Sequence, residues 1–389
     1  MRRLPHILFV PLTSLSLLFL AGSGVVSGAD DIESTRVHFS TYDEVELSGT
    51  FYRSAPTNGK KDKDTVVLLL HDFRHLKGGS SQEDGWHQLA GQLQKEGFAV
   101  LSFDFRGFGN SKSVSPKFWE FPHNRQGIKG ASRKNPPASI DEKDFSQNYF
   151  INLVNDIAAA RAYLNIKNDA NEINSSNIIL IGAGQGATLG ALWLASECRR
   201  QKDNQSDRLA LIPGMLPQFR SLDEPEGNDV AAAVWLTIYP TLEQRPVGRS
   251  VINALVDETK KAKIPTYFLY AKNDKKANDF LNLNSDLKSL LTENSKKKGG
   301  VKEKAVPGAG DLAGSKLLSS RYRTAEFILD YVNNVVEERG SRTRKDRQDQ
   351  KYAFCWSLPW PAQNANRIVS KLPGQPVSHT IPVNVLGLR

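Results

Sequence analysis

Three features of the 389-residue sequence predict an α/β fold, doubly wound around a mostly parallel sheet of about eight strands. First, residues 66–70, 98–103 and 178–181 are short continuous apolar runs, the pattern of strands buried on both faces of a parallel sheet. Second, segments of helical periodicity alternate with these runs along most of the chain. Third, composition changes sharply at two internal stretches and beyond Gly340, which predicts a lid-like insertion and a C-terminal tail.

In chain order, residues 35–40 and 46–53 alternate as two opening strands, with a turn near Asp43. A loop carrying Lys60, Lys61 and Lys63 leads to the strand at 66–70, and residues 86–96 read as a helix stopped by Gly97. A long helical pattern over 145–164 precedes the strand at 178–181, which runs into an apolar helix at 187–195. Residues 231–239 and 265–270 supply two more strands, with a helix at 251–261 between them. Residues 281–291 are helical, 301–306 form a weak strand, and 322–336 form a closing helix.

The first internal stretch, 112–143, is rich in Pro, Gly, Lys and Ser but carries Phe118, Trp119 and Phe121. The second, 199–229, is polar around an apolar island at 209–216. After Gly340 comes a charged run, 342–351, read as a linker. The aromatic residues Tyr352, Phe354, Trp356 and Trp360 follow, packing back on the domain or engaging a partner.

The N-terminus reads as an export signal. Arg2 and Arg3 precede a mostly apolar stretch, and Ser27, Gly28 and Ala29 are small residues suited to cleavage after Ala29. The expectation is a periplasmic or extracellular protein with no transmembrane segment after removal of 1–29. An uncleaved anchor is the competing reading, although Pro11, Thr13, Ser14 and Ser16 interrupt the run. Two cysteines, Cys198 and Cys355, permit one disulfide without making a disulfide framework, and Cys198 also suits a buried thiol.

The net charge of +9 is unevenly placed. Eight Lys/Arg and two Asp lie from Gly340 onward, so the tail holds +6, while the body between Ala29 and Gly340 holds only +1. A nucleic-acid-binding domain carries its basic stripe on the folded body, so no nucleic-acid partner is expected. The tail reads as a solvated basic segment or as a contact for an anionic surface.

Three segments carry the chemistry: His71 and Asp72 closing a buried strand, the run Asp104-Phe105-Arg106-Gly107-Phe108-Gly109-Asn110-Ser111, and Gly182-Ala183-Gly184-Gln185-Gly186. Through them the chain resembles the α/β-hydrolase superfamily, in its serine-aminopeptidase and monoglyceride-lipase-like branch, over roughly residues 37–336. The resemblance implies a domain spanning 30–339 with the 112–143 insertion as its lid. It also implies a Ser-acid-His triad. In that family a G-x-S-x-G turn lifts its serine above the sheet. Here Gly184 stands at the centre, so no acyl-enzyme can form at this position. Shifting the frame offers only Thr188, inside the helix.

By the same resemblance Asp274 holds the acid position, although an Asp after Asn273 is also ordinary turn chemistry. Asp311, in the loop Pro307-Gly308-Ala309-Gly310-Asp311, stands where the family places histidine; its alternative role is a helix N-cap. A carboxylate is a poor substitute for imidazole as general base toward a hydroxyl. The backbone N–H groups of Phe73 and Gln185 would form the oxyanion hole, with Asp72 adding negative charge where the family has glycine. His71 reads as structural, and His75, His87 and His123 as solvated or locally hydrogen-bonded. The spacings match no metal motif, and no cofactor is expected.

Two functions are consistent with this pattern. One is a non-catalytic hydrolase scaffold that binds a small molecule or protein in the former pocket, with the aromatic insertion either a contact surface or packed on the parent domain. The other is an active ester or peptide hydrolase using Ser111 or Ser113 with His71 or His123.

Overall fold

The computed structural model describes residues 32–41, 43–74, 76–131, 135–204, 226–243, 245–246, 256, 264–282, 287–289, 291, 300–340 and 342–345. The expected signal segment 1–29, the apolar island 209–216, Cys355 and the tail from 346 lie outside these residues, as does nearly all of the helix expected at 251–261.

The described residues form ten strands: β1 (Thr35–Ser40), β2 (Glu46–Tyr52), β3 (Val66–Leu70), β4 (Ala99–Phe103), β5 (Ile178–Ala183), β6 (Val230–Leu236), β7 (Thr241–Leu242), β8 (Arg245–Pro246), β9 (Thr266–Ala271) and β10 (Lys302–Val306). Eight of them form one sheet in the order β1-β2-β4-β3-β5-β6-β9-β10, while β7 and β8 make a small separate ladder. β2 is antiparallel to both β1 and β4, and every other pairing in the large sheet is parallel. This is the sheet of an α/β-hydrolase fold.

The central strands are apolar throughout because both sheet faces are covered. β3, β4, β5 and β6 are buried at every position, and burying each large side chain contributes about 1.5–3 kcal/mol. The edges differ. β1 is largely exposed, and β10 carries Lys302, Glu303 and Lys304, charges that discourage further strand pairing.

Helices α1 (Trp86–Lys95), α2 (Pro122–Gly127), α3 (Val154–Asp169), α4 (Gly184–Asn204), α5 (Lys275–Asn282) and α6 (Thr324–Arg339) complete the described elements of six residues or more. α3 and α4 pack together on the sheet, α3 against β1 and α4 against β3, β5 and β6. α1 covers β2 and β4, α6 covers β6, and the Asn333 amide of α6 reaches Glu96 at the end of α1 (3.3 Å).

The helix expected over 145–164 begins only at Val154, after a 3-10 turn at Phe150–Leu153, and runs on to Asp169. The apolar spacing of Phe145, Tyr149 and Phe150 reflects loop packing: the Phe145 ring meets Tyr149 and Phe150 at 4.7 and 5.7 Å and lies over Gly107. The polar stretch expected from Arg199 is also corrected at its start, since α4 continues through Asn204. Of the helix expected over 281–291, residues 281 and 282 close α5, which starts six residues earlier, and the other described residues, 287–289 and 291, are helical.

The 112–143 insertion is fastened down. Phe118 and Trp119 are buried, packed edge to face at 4.9 Å, and the Trp119 indole donates to Pro137 O at 2.8 Å. Of the two roles open to them, contact surface or packing on the domain, these two residues take the second. His123 is buried as well, not surface-exposed, and donates to Asp43 Oδ2 at 3.2 Å; Asn124 donates to the same oxygen at 3.0 Å.

Asp43 is one end of a buried ion network. The Arg106 guanidinium donates to Asp43 Oδ2 (2.6 Å) and Oδ1 (3.0 Å) and, through Nε, to Asp156 Oδ1 (2.7 Å). Burial would raise the Asp43 carboxyl, but Arg106 and His123 hold it well below the usual range. At Asp156 burial wins over Arg106 and lifts the carboxyl to about 6. One guanidinium thus ties the turn before β2, the loop after β4 and α3 together.

At the opposite end of the sheet the chain following α6 is strapped down. Asn174 Nδ2 donates to Arg342 O and Asn168 Nδ2 to Lys345 O, each at 2.7 Å, and Lys345 N donates to Ser176 Oγ at 3.0 Å. Since Asn168, Asn174 and Ser176 precede β5, this strap lies at the N-terminal edge of the parallel strands.

Candidate functional site

β5 ends in the predicted elbow: Ala183 closes the strand and Gly184 opens α4. Gly184 has φ +53°, a left-handed conformation that side chains rarely adopt. The turn is tight on both sides. A Cβ on Gly182 would stand 2.8 Å from Ala187 Cα, and one on Gly186 would overlap the His71 carbonyl.

The space above Gly184 is filled by Asp72, at the end of β3. A Cβ on Gly184 would overlap the Asp72 carboxylate. Gly314, also at positive φ (+63°), closes on the same carboxylate from the other side, and a Cβ there would overlap Asp72 Oδ2. Asp72 therefore lies in a slot between two glycines.

Its Oδ1 accepts two backbone hydrogen bonds, from Phe73 N (2.9 Å) and Gln185 N (3.0 Å). These are the two N–H groups the sequence singled out as oxyanion donors. The structure brings them to one point, and an internal carboxylate takes both. Burial raises the Asp72 carboxyl to about 6, against the lowering effect of Gln185 N–H, Arg74 and Phe73 N–H.

Asp274 follows β9 and caps α5, its Oδ1 accepting from Lys276 N (3.0 Å) and Ala277 N (3.3 Å). Oδ2 is buried without a hydrogen-bond partner, and burial raises this carboxyl despite the two N–H donors. Asn273 N donates to Gly310 O at 3.1 Å, which brings the Asp274 turn beside the 307–313 loop.

Asp311 in that loop is exposed. It is not an N-cap: the following 3-10 turn, Gly314–Leu318, is preceded by Ala313 and has no side-chain cap, because the loop continues two residues beyond Asp311. Ser315 Oγ donates to Asp84 Oδ2 at 2.6 Å, pinning this loop to the segment before α1.

Tyr239, which the sequence reading left in a strand, borders the site. Its backbone exchanges hydrogen bonds with Thr188 Oγ1 (3.1 and 3.2 Å), which occupies the hydroxyl of that frame-shifted candidate. Burial, then Asp274 and Asp72, push the Tyr239 phenol up; Arg74, bonded to the hydroxyl, opposes them. Arg74 is thus the cation that serves Asp72, Asp274 and Tyr239 together. Of these partners, only the replacement of glycine by Asp72 was visible in the sequence.

Ser111, His71 and His87 have structural partners, while His75 lies outside the described residues. Ser111 Oγ is buried and accepts Ser48 N–H (2.9 Å). His71 donates from Nδ1 to Asp72 O (2.7 Å) and accepts Phe105 N–H at Nε2 (3.1 Å), and burial lowers its pKa despite Asp104 and the Asp72 carbonyl. His87 shares a hydrogen bond with Tyr52 (3.1 Å). The Asp104–Ser111 loop is braced: Asp104 accepts from Ser81 N (2.7 Å), Ser80 Oγ (3.0 Å) and Asn110 N (2.9 Å). Among the described residues no cluster of three or more His, Cys, Asp or Glu is arranged to hold a metal ion.

Strand order, elbow and braced loop together define an α/β-hydrolase fold. No family model matches the sequence, and no curated protein does. Among solved structures the chain is similar to an esterase of Pyrococcus furiosus (15% identity, TM-score 0.41, 79% of this chain and 91% of that one). It is also similar to a lidless α/β serine hydrolase of Xanthomonas campestris (11%, TM-score 0.41, 80% and 98%). A third is an Agrobacterium tumefaciens protein described as a putative α/β hydrolase (16%, TM-score 0.44, 78% and 97%). At such identities the likeness concerns fold alone.

Proposed function

We propose that this protein is a non-catalytic member of the α/β-hydrolase fold, exported through its 1–29 segment, that works by binding rather than by turnover. One observation carries the reading: Asp72 fills the room a nucleophilic side chain at 184 would need and takes both N–H donors for itself. Covalent acyl transfer requires an activated nucleophile and free donors aimed at the developing oxyanion. Gly184 supplies no nucleophile, and the donors are already paired with a carboxylate.

The triad-equivalent positions on this reading are Gly184, Asp274 and Asp311. Asp274 survives as the cap of α5, and Asp311 faces solvent. The alternative, a rearranged hydrolase, draws no support from Ser111, which is held by Ser48 N–H, or from His71, both of whose ring nitrogens are engaged.

The test is incubation of the full chain with a fluorophosphonate probe, alongside a p-nitrophenyl ester assay. The expected result is no covalent labelling and no saturable turnover. Stoichiometric labelling of any serine would overturn the reading.

A further inference from the structure

A cavity of about 270 Å³ lies away from the elbow, between residues 76–78 after β3 and the glycine turn at 107–109 after β4. Three lysines, Lys77, Lys112 and Lys143, line it with the acids Asp141 and Glu142. Both acids are engaged within the protein. Asp141 is paired with Lys112 at 2.7 Å. Glu142 is buried and turns Oε2 back to accept Leu76 N–H at 2.9 Å. Lys143 acts on the same Asp141, and Lys77 has no ion pair among the described residues, so three cations meet two carboxylates and the rim carries excess positive charge.

Leu76 adds a second, independent signal. It is 63% exposed, one of two large hydrophobic side chains so exposed among the described residues. It also sits at φ +63°, which a leucine rarely adopts. The Glu142 carboxylate holds its N–H in this conformation. Backbone strain kept by a buried charge, presenting an apolar side chain to water beside a basic cavity, is a costly arrangement for a surface turn.

We propose that this cavity is a binding site for a small amphiphilic anion, its carboxylate or phosphate head between Lys77 and Lys143 and its apolar end against Leu76. The volume falls just below the roughly 300–1,000 Å³ of ordinary ligand pockets, which suits a small molecule rather than a peptide or polymer. Catalysis plays no part in the site, and it stands whether or not Asp72 closes the elbow.

Isothermal titration of the full chain with octanoate, octyl phosphate, inorganic phosphate and octanol tests it. Octanoate or octyl phosphate is expected to bind with Kd on the order of 1 mM, the tighter of the two identifying the head group. Inorganic phosphate and octanol, each lacking one half of the ligand, should bind about tenfold more weakly. Lys77→Gln with Lys143→Gln should weaken the amphiphile about tenfold at an unchanged melting temperature.

Leu76→Asn keeps a residue that tolerates positive φ, so it should fold normally and reduce the amphiphile to the affinity of inorganic phosphate. Octanoate and octyl phosphate binding unaffected by the double lysine variant would overturn the proposal. So would octanol binding as tightly as the anions, or no heat from either amphiphile with folded protein at about 20 mM.

Discussion

Asp72 Oδ1 and Gln185 N are joined by a 3.0 Å hydrogen bond across the top of the sheet, from the end of β3 to the first turn of α4. This bond and its partner from Phe73 N give the elbow an internal carboxylate.

Restoring the nucleophile alone should harm the protein. A Gly184→Ser chain must place a Cβ into the Asp72 carboxylate and hold serine at φ +53°. The expected cost is about 2–3 kcal/mol in chemical denaturation, with no esterase activity gained. Adding Asp72→Gly should recover part of that loss by clearing the overlap, leaving the backbone strain. Equal stability of the single and double variants would show that Asp72 moves aside freely.

The Asp72 carboxyl should leave a signature in the pH dependence of stability. Its folded pKa of about 6 lies above its ordinary value of 3.8, so the native state binds this proton more readily than the unfolded chain. Ionised Asp72 therefore costs stability above pH 6, and the cost is relieved as pH falls toward 4. Asp72→Asn keeps an accepting oxygen without the charge. It should be more stable than the parent by about 2 kcal/mol at pH 7.5, with the gap closing near pH 4. Melting curves of both proteins across this range check the sign.

Arg106 should be among the least replaceable residues of the chain. Arg106→Met strands Asp43 and Asp156 as buried carboxylates and detaches the insertion from its anchor. Losing one partner of a buried ion pair costs about 3–5 kcal/mol, measurable as a lowered urea midpoint. Because Asp43 also receives His123 and Asn124, Asp43→Asn should loosen the insertion selectively, read as faster amide exchange at Phe118 and Trp119.

The strap after α6 predicts a proteolysis pattern. Asn168→Ala with Asn174→Ala removes the side-chain donors that hold the carbonyls of Lys345 and Arg342. Trypsin should then cut after Arg342, Arg344 or Lys345 several times faster than in the parent, with global stability changed by about 1–2 kcal/mol. Unchanged cleavage rates would mean the strap is held elsewhere.

Much of this architecture was legible in the sequence because fully buried parallel strands announce themselves as unbroken apolar runs, as at Val66–Leu70 and Ile178–Ala183. The elbow was legible for a related reason: its glycines occur where backbone crowds backbone. Apolar residues that pack in loops were harder to place. Phe145 and Tyr149 mimic a helical period while folding over Gly107, and the sequence left Phe118 and Trp119 open between surface and core, a choice made in space by partners such as the Pro137 carbonyl that accepts the indole N–H. The place of Asp72 was beyond sequence pattern, because it depends on residues 72, 184 and 314 meeting in space. Asp72 was visible as a replaced glycine, but Gly314 is an unremarkable loop residue until its Cα is seen against that carboxylate.

The φ of +53° at Gly184 has an energetic corollary. In a working enzyme this turn forces a serine into a conformation that stores strain, and the rest of the fold must sustain it. Glycine adopts it freely, so this elbow is relaxed. A glycine elbow thus has a margin of stability that the same turn built on serine must do without.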